Sequence, residues 1–252
     1  MLEAGLELIY RDLDEATRSR EGILKFRWPS RDRVMRRYRI RTADATATRG
    51  LFATRWPTMD RYYADLFRLA FEPGGYAGHA DLAGGLAPAV LGAGDPQDAA
   101  TDVALENMRL YLDSPLFRMK LLATAMDPAG PLFGPVLVEF YEAATAWWSA
   151  AYTEITDAAG LRLKADVTPR MFASWMIALV EGLTHRFLST PGDFDGELRA
   201  AAATLARSGA ALLLGATAPR GELRSVEQDF SLLMPGSAGR SRPDADVHLV
   251  SP

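Results

Sequence analysis

Apolar positions recur with the period of a helix along almost the whole chain. Leu2, Leu6, Ile9 and Leu13 form one stripe from a helix over 2–12. A second helix, over 30–38, follows Trp28-Pro29, with Ser30 placed to cap it. A short helix over 46–56 ends at Pro57. Thr58 and Asp60 then open another, which carries Tyr62, Tyr63, Leu66, Phe67 and Ala70. The stretch from 73 to 96 is rich in Gly, Pro and Ala and reads as a loose connection holding at most a short helix. Helices resume over 97–112 and 115–126, and "MDPAGPLFGP" reads as a loop. Over 135–158, Leu137, Phe140, Tyr141, Ala144, Trp148, Ala151, Tyr152 and Ile155 share one face. Thr168-Pro169 is a strong start signal, a capping threonine followed by proline in the first turn. The helix it opens, 169–188, carries Phe172, Trp175, Met176, Leu179, Leu183 and Phe187. Pro191-Gly192 stops it, and a last helix spans 194–215, where Leu198, Leu205 and Leu212 stand among Ala and Gly. From 219 the chain turns polar, and 235–252 reads as a disordered tail. With no run of alternating strands and no internal repeat, the expected class is all-α.

Net charge changes this picture through its distribution. The total is −4 over 252 residues. Residues 1–70 nevertheless hold 15 Lys+Arg against 10 Asp+Glu, and the rest hold 13 against 22. "KFRWPSRDRVMRRYRIR", residues 25–41, contains eight basic residues and one acid, Asp32. A basic lobe on an acidic body is the footprint of a protein that meets a polyanion with one end. The plainer reading is a solvated, arginine-rich helix face. The acidic, amphipathic start does not resemble a signal peptide, and no stretch reads as a membrane span, so a cytoplasmic location is expected.

Candidate chemistry is sparse. The chain has no cysteine, which removes disulfides, thiolate catalysis and cysteine-based zinc sites. Its three histidines, His79, His185 and His248, are far apart in sequence, with no His-Glu-x-x-His. His79 falls in the loose connection and His248 in the tail. His185 reads as a satisfied core or interface histidine. No Gly-x-Ser-x-Gly elbow and no phosphate-binding glycine loop occurs. Glu139 and Glu142 read as a solvated face. No enzyme, metal or cofactor is expected.

"TRGLFATRWPTMDRYYADLF", residues 48–67, is more specific. A helix that enters a DNA groove needs small or hydroxylated residues at its start, since bulk there holds the backbone away. Thr46, Thr48 and Gly50 meet that need. Arg49 can pair with phosphate or a guanine edge, and Thr54 and Arg55 follow on the same short helix. The helix before it would cross the phosphate backbone, bringing Arg33, Arg36, Arg37, Arg39 and Arg41. This stretch resembles the end of the DNA-binding domain in TetR-type (tetracycline-repressor-like) regulators. The pattern is carried by Thr48, Arg49 and Gly50, then Trp56, Pro57 and Asp60. "LEAGLELIY" is similar to the family's first helix, and the region 160–192, with Glu181-Gly182, to its penultimate helix. The chain departs from the family in lacking an Ala-Gly-Val turn and in carrying Ala53 where an aromatic is common.

The resemblance implies a helix-turn-helix domain over 1–72, a larger helical domain for ligand binding and dimerisation over 73–218, and a C-terminal extension over 219–252. It implies a homodimer that binds double-stranded DNA at a palindromic operator, as a repressor. Phe172, Met176, Leu179, Leu183, Phe187, Leu198, Leu205 and Leu212 would form the dimer interface. It further implies a pocket for a small apolar or aromatic effector, with Met108, Tyr111, Phe117, Met119, Phe140, Tyr141, Trp147, Trp148, Tyr152 and Trp175 as candidate lining. The alternative is a ligand- or partner-binding helical protein of the same fold without specific DNA recognition.

Overall fold

The computed structural model describes residues 1–18, 28–44, 48–72, 76–126, 130, 132–222 and 224–233. Among these the fold is all-α. The helices are α1 (Leu2–Arg18), α2 (Arg31–Thr42), α3 (Arg49–Arg55), α4 (Met59–Ala70), α5 (Ala77–Leu91) and α6 (Pro96–Asp113). After them come α7 (Pro115–Met126), α8 (Gly134–Ala158), α9 (Pro169–Ser189), α10 (Leu198–Ala216) and α11 (Val226–Leu233). A 3-10 turn, Pro191–Phe194, links α9 to α10. The expected disordered tail lies outside the described residues.

Helix starts follow local chemistry. Ser30, Thr48, Thr58 and Thr168 each accept a backbone N–H with the hydroxyl, at the heads of α2, α3, α4 and α9. Asp95 does the same with its carboxylate at α6. Each cap satisfies an orphan donor of the first turn and stabilises by about 1 kcal/mol.

Two expectations change. The loose connection over 73–96 contains α5, a helix of 15 residues with Pro88 inside it. Its glycines and proline make it a poor helix by propensity. It forms because Ala83, Leu86 and Ala87 are buried against α6 and α8, and packing outweighs propensity. Two three-residue strands also exist. β1 (Leu161–Leu163) follows α8, β2 (Thr217–Pro219) follows α10, and they pair antiparallel with Arg162 opposite Ala218. Segments 54 residues apart make this ladder, so no local alternation announces it.

The core is divided. One cluster joins α1–α4 to α7 and the start of α8, with Ile9, Val34, Phe52, Tyr62 and Leu66 against Met119, Ala123 and Phe140. Gly5 is required there. A Cβ at that position would run into the Tyr62 hydroxyl, so glycine lets α1 lie directly on α4. Three further clusters hold α5, α6, α8, α9 and α10 together.

Candidate functional site

The N-terminal lobe seats α3 on an aromatic base. Phe52 is fully buried, and its ring meets Trp56 and Tyr62 at centroid distances of 5.1 and 5.0 Å. Trp56 Nε1 donates to Asp65 on α4 at 3.0 Å. With one face anchored, α3 exposes Thr48, Arg49, Gly50, Leu51, Thr54 and Arg55. Thr48 spends a lone pair capping α3, and Thr54 donates its hydroxyl hydrogen to the Gly50 carbonyl. Thr46 lies outside the described residues. Arg55 stacks over the Trp56 ring, and Arg31 over Phe52.

The arginines of α2 divide by partner. Arg33 holds Asp12 with both carboxylate oxygens at 3.0 and 2.6 Å, and Asp12 is buried, so this pair is structural. Arg37 pairs with Glu7, and Arg41 with Glu3 at 2.6 Å. Arg49 reaches back from α3 to Asp32 at 2.5 Å. Arg36 and Arg39 are exposed. The basic count of the lobe is thus partly neutralised by α1, whose acids face α2. Glu3 and Glu7, four apart on one face of α1, carry that signal in the sequence.

The second region is an apolar cavity of about 230 Å³, open on one side to solvent and lined by α5, α6, α8, α9 and α10. Of the candidate lining residues, only Trp148 and Tyr152 border it. Tyr111, Phe117 and Phe140 line a smaller cavity of about 90 Å³, with His79 and Lys120. Met108 and Met119 are fully buried core and line neither. Trp147 packs between two core clusters. Tyr141 binds Glu181, and Trp175 lies on the surface. Periodicity alone cannot separate a side chain that fills the core from one that borders a void.

The dimer candidates are also placed differently. Phe172 and Leu205 are buried inside the subunit, and with Met176 they line the large cavity. Leu179, Leu183, Phe187 and Leu198 pack against the α6–α10 cluster, and Leu212 against Val167 and Phe172. The exposed stripe of α9 is instead Met171, Trp175, Ala178, Gly182 and His185, and that of α10 is Arg207, Ala211 and Leu214. Both helices are apolar on more than one side, and the bulkier stripe turned inward.

Beside the smaller cavity sits a polar network that no sequence motif announces. Lys120, 3% exposed, bonds Glu181, which also accepts from Tyr141 Oη at 2.9 Å. The ammonium lies 5.0–5.6 Å from the centroids of Tyr111, Phe117, Phe140 and Tyr141. Burial lowers the Lys120 pKa, and the Glu181 carboxylate opposes that shift. His79, on α5 against the Tyr111 ring, is held to a pKa of about 4 by burial, aided by Lys120; a side-chain hydrogen bond with Asn107 works the other way. Asn107 itself is buried on α6. A lone Lys in "FRMKLLATAM" and a lone Asn on the apolar face of α6 were the available signals.

Among the described residues no group of acids and histidines is arranged to hold a metal ion, and no helix is long and apolar enough to cross a membrane. Neither a family model, a curated protein nor a solved structure matches this chain.

Proposed function

We propose that the chain is a ligand-responsive DNA-binding regulator that acts as a dimer. The observation that carries this reading is α3. It is a short helix fixed from behind by Phe52 and Trp56, with a small, hydroxylated and basic outer face beside the arginines of α2. Its TetR-like motif, Thr48-Arg49-Gly50, lies on that outer face. The ion pairs of Arg37, Arg41 and Arg49 do not forbid DNA contact. Exposed pairs stabilise by only about 0.2–1 kcal/mol, so phosphate can replace the acid. The exposed stripes of α9 and α10 supply a surface for a second copy, with spacings of three and four that suit helix packing. The apolar cavity supplies a place for an effector, which would act by favouring one arrangement of the helices.

The test is binding to the DNA flanking the chain's own gene, followed by fluorescence anisotropy across a salt series. Saturable, sequence-selective binding that weakens steeply with salt is expected. Equal weak binding to any duplex would defeat the reading. A second reading, a ligand- or partner-binding protein without DNA recognition, is favoured by one observation: the acids of α1 and Asp32 already occupy much of the basic face.

A further inference from the structure

The large cavity has one weak wall. α5 starts without a side-chain cap, carries Gly78, Gly84 and Gly85, and holds Pro88, which has no N–H to return to the Gly84 carbonyl. A thin buried face, Ala83, Leu86 and Ala87, keeps it helical. The helices of the other walls, α6, α8, α9 and α10, are 18 to 25 residues long and carry proline, if at all, only in the first turn. Two side chains of α5, Leu86 and the partly buried Val90, border the cavity. A side chain that faces a void lacks the contacts that a filled space would give it. The cavity also selects by chemistry. Its lining includes no Asp, Glu, Lys, Arg or His, so an ion entering it would lose its hydration without a countercharge. Of its two amide side chains, Gln97 is exposed at the mouth and Asn107 is hydrogen-bonded to His79. The start of α5 leads back to the N-terminal lobe. Tyr76, the residue before it, packs against Phe71 and Phe140, and its hydroxyl donates to the Phe71 carbonyl at the end of α4. α4 in turn carries the Tyr62 and Asp65 that seat α3.

We propose that the large cavity binds a neutral, wholly apolar molecule of about ten heavy atoms, and that its occupancy orders α5. The size is scaled up from benzene, which fills a dry void of roughly 150 Å³, to a cavity of about 230 Å³. A ligand packed on Leu86 and Val90 gives α5 the contacts that the void withholds, so it binds the folded helix and not an opened one. Ordering α5 fixes Tyr76 and, through it, the end of α4. The proposal deepens the ligand-responsive reading and rests on it only for what an ordered α5 does to DNA affinity.

Isothermal titration calorimetry and amide hydrogen exchange of the full chain with naphthalene and 2-naphthoate test it. Naphthalene is expected to bind, and the naphthoate at least about tenfold more weakly. In the unliganded chain α5 should exchange faster than the buried turns of α6 and α8. Naphthalene at about ten times its Kd should slow exchange over α5 by about tenfold. Gly84→Ala with Gly85→Ala, whose added methyl groups meet no atom within 4 Å, should slow it by about tenfold or more without ligand. Ala206→Phe, which fills the cavity from α10, should weaken naphthalene at least about tenfold. Circular dichroism establishes that each variant folds, and the comparisons on the unaltered chain stand even if one does not. Absence of naphthalene binding, naphthoate binding as tight as naphthalene, naphthalene binding that leaves α5 exchange unchanged, or binding that survives Ala206→Phe each overturns the proposal. Anisotropy with the flanking DNA separates the two readings. Naphthalene binding that orders α5 without DNA binding defeats the regulator and keeps the site. Selective DNA binding without naphthalene binding does the reverse.

Discussion

Lys120 on α7 and Glu181 on α9, 61 residues apart in sequence, form a buried ion pair that ties the helix packed on the N-terminal lobe to the C-terminal bundle. Desolvating two charges costs as much as their attraction returns, so the pair adds little net stability while its breakage is expensive. Glu181→Leu, which strands the ammonium, is expected to destabilise by about 3–5 kcal/mol. The double variant Lys120→Met with Glu181→Leu should recover most of that loss. Urea unfolding of the three chains measures it, and a double variant as unstable as Glu181→Leu would show that the pair is not coupled in this way.

Gly5 and Tyr62 give a steric prediction. Gly5→Ala drives a methyl group into the Tyr62 hydroxyl and should cost about 1–3 kcal/mol, as overpacking does. Tyr62→Phe removes the atom in the way, though it also removes a hydrogen bond to the Met1 carbonyl at 3.3 Å. Gly5→Ala should therefore be less damaging in the Tyr62→Phe background, which denaturation midpoints will register.

His79 sets a pH dependence. Its folded pKa of about 4 lies below the ordinary value of 6.5. Between these values the unfolded chain takes up a proton that the folded chain refuses. Stability therefore falls as the pH drops from about 6.5 towards 4, by up to roughly 3 kcal/mol. Melting temperatures of the native chain and of His79→Phe should converge or cross in that window. Parallel profiles would mean that His79 is not held neutral.

Arg49→Ala should weaken DNA binding while leaving the melting temperature nearly unchanged, because both partners of its pair with Asp32 are exposed. Asp32→Ala, by freeing Arg49, should tighten binding and steepen its salt dependence by about one counterion. Anisotropy at several salt concentrations reads both. A weakened complex in Asp32→Ala would assign the acid a different role.

The outward stripe of α9 is the surface to break if two copies associate. Trp175→Glu is expected to yield monomers in sedimentation velocity at micromolar concentration while preserving helicity, since Trp175 is 37% exposed in the single subunit. A dimer that survives both Trp175→Glu and Leu214→Glu would move the interface elsewhere.

The sequence by itself determined the helical class and most helix boundaries, because these depend on local chemistry. Capping side chains sit within three residues of the N–H groups they satisfy, and proline and glycine stops act where they stand. It also determined that Phe52 and Trp56 share a short helix with Thr48, Arg49 and Gly50. Only the tertiary structure decided which apolar stripe of α9 turned inward, that poor helix-forming residues 77–91 would be held as α5, and that β1 and β2 would pair. It alone placed Glu3, Glu7 and Asp32 against the arginines, and Lys120 against Glu181. Periodicity records that a side chain is apolar on one side of a helix. Whether that side meets core, cavity or solvent depends on residues far away in the chain, and only packing brings those together.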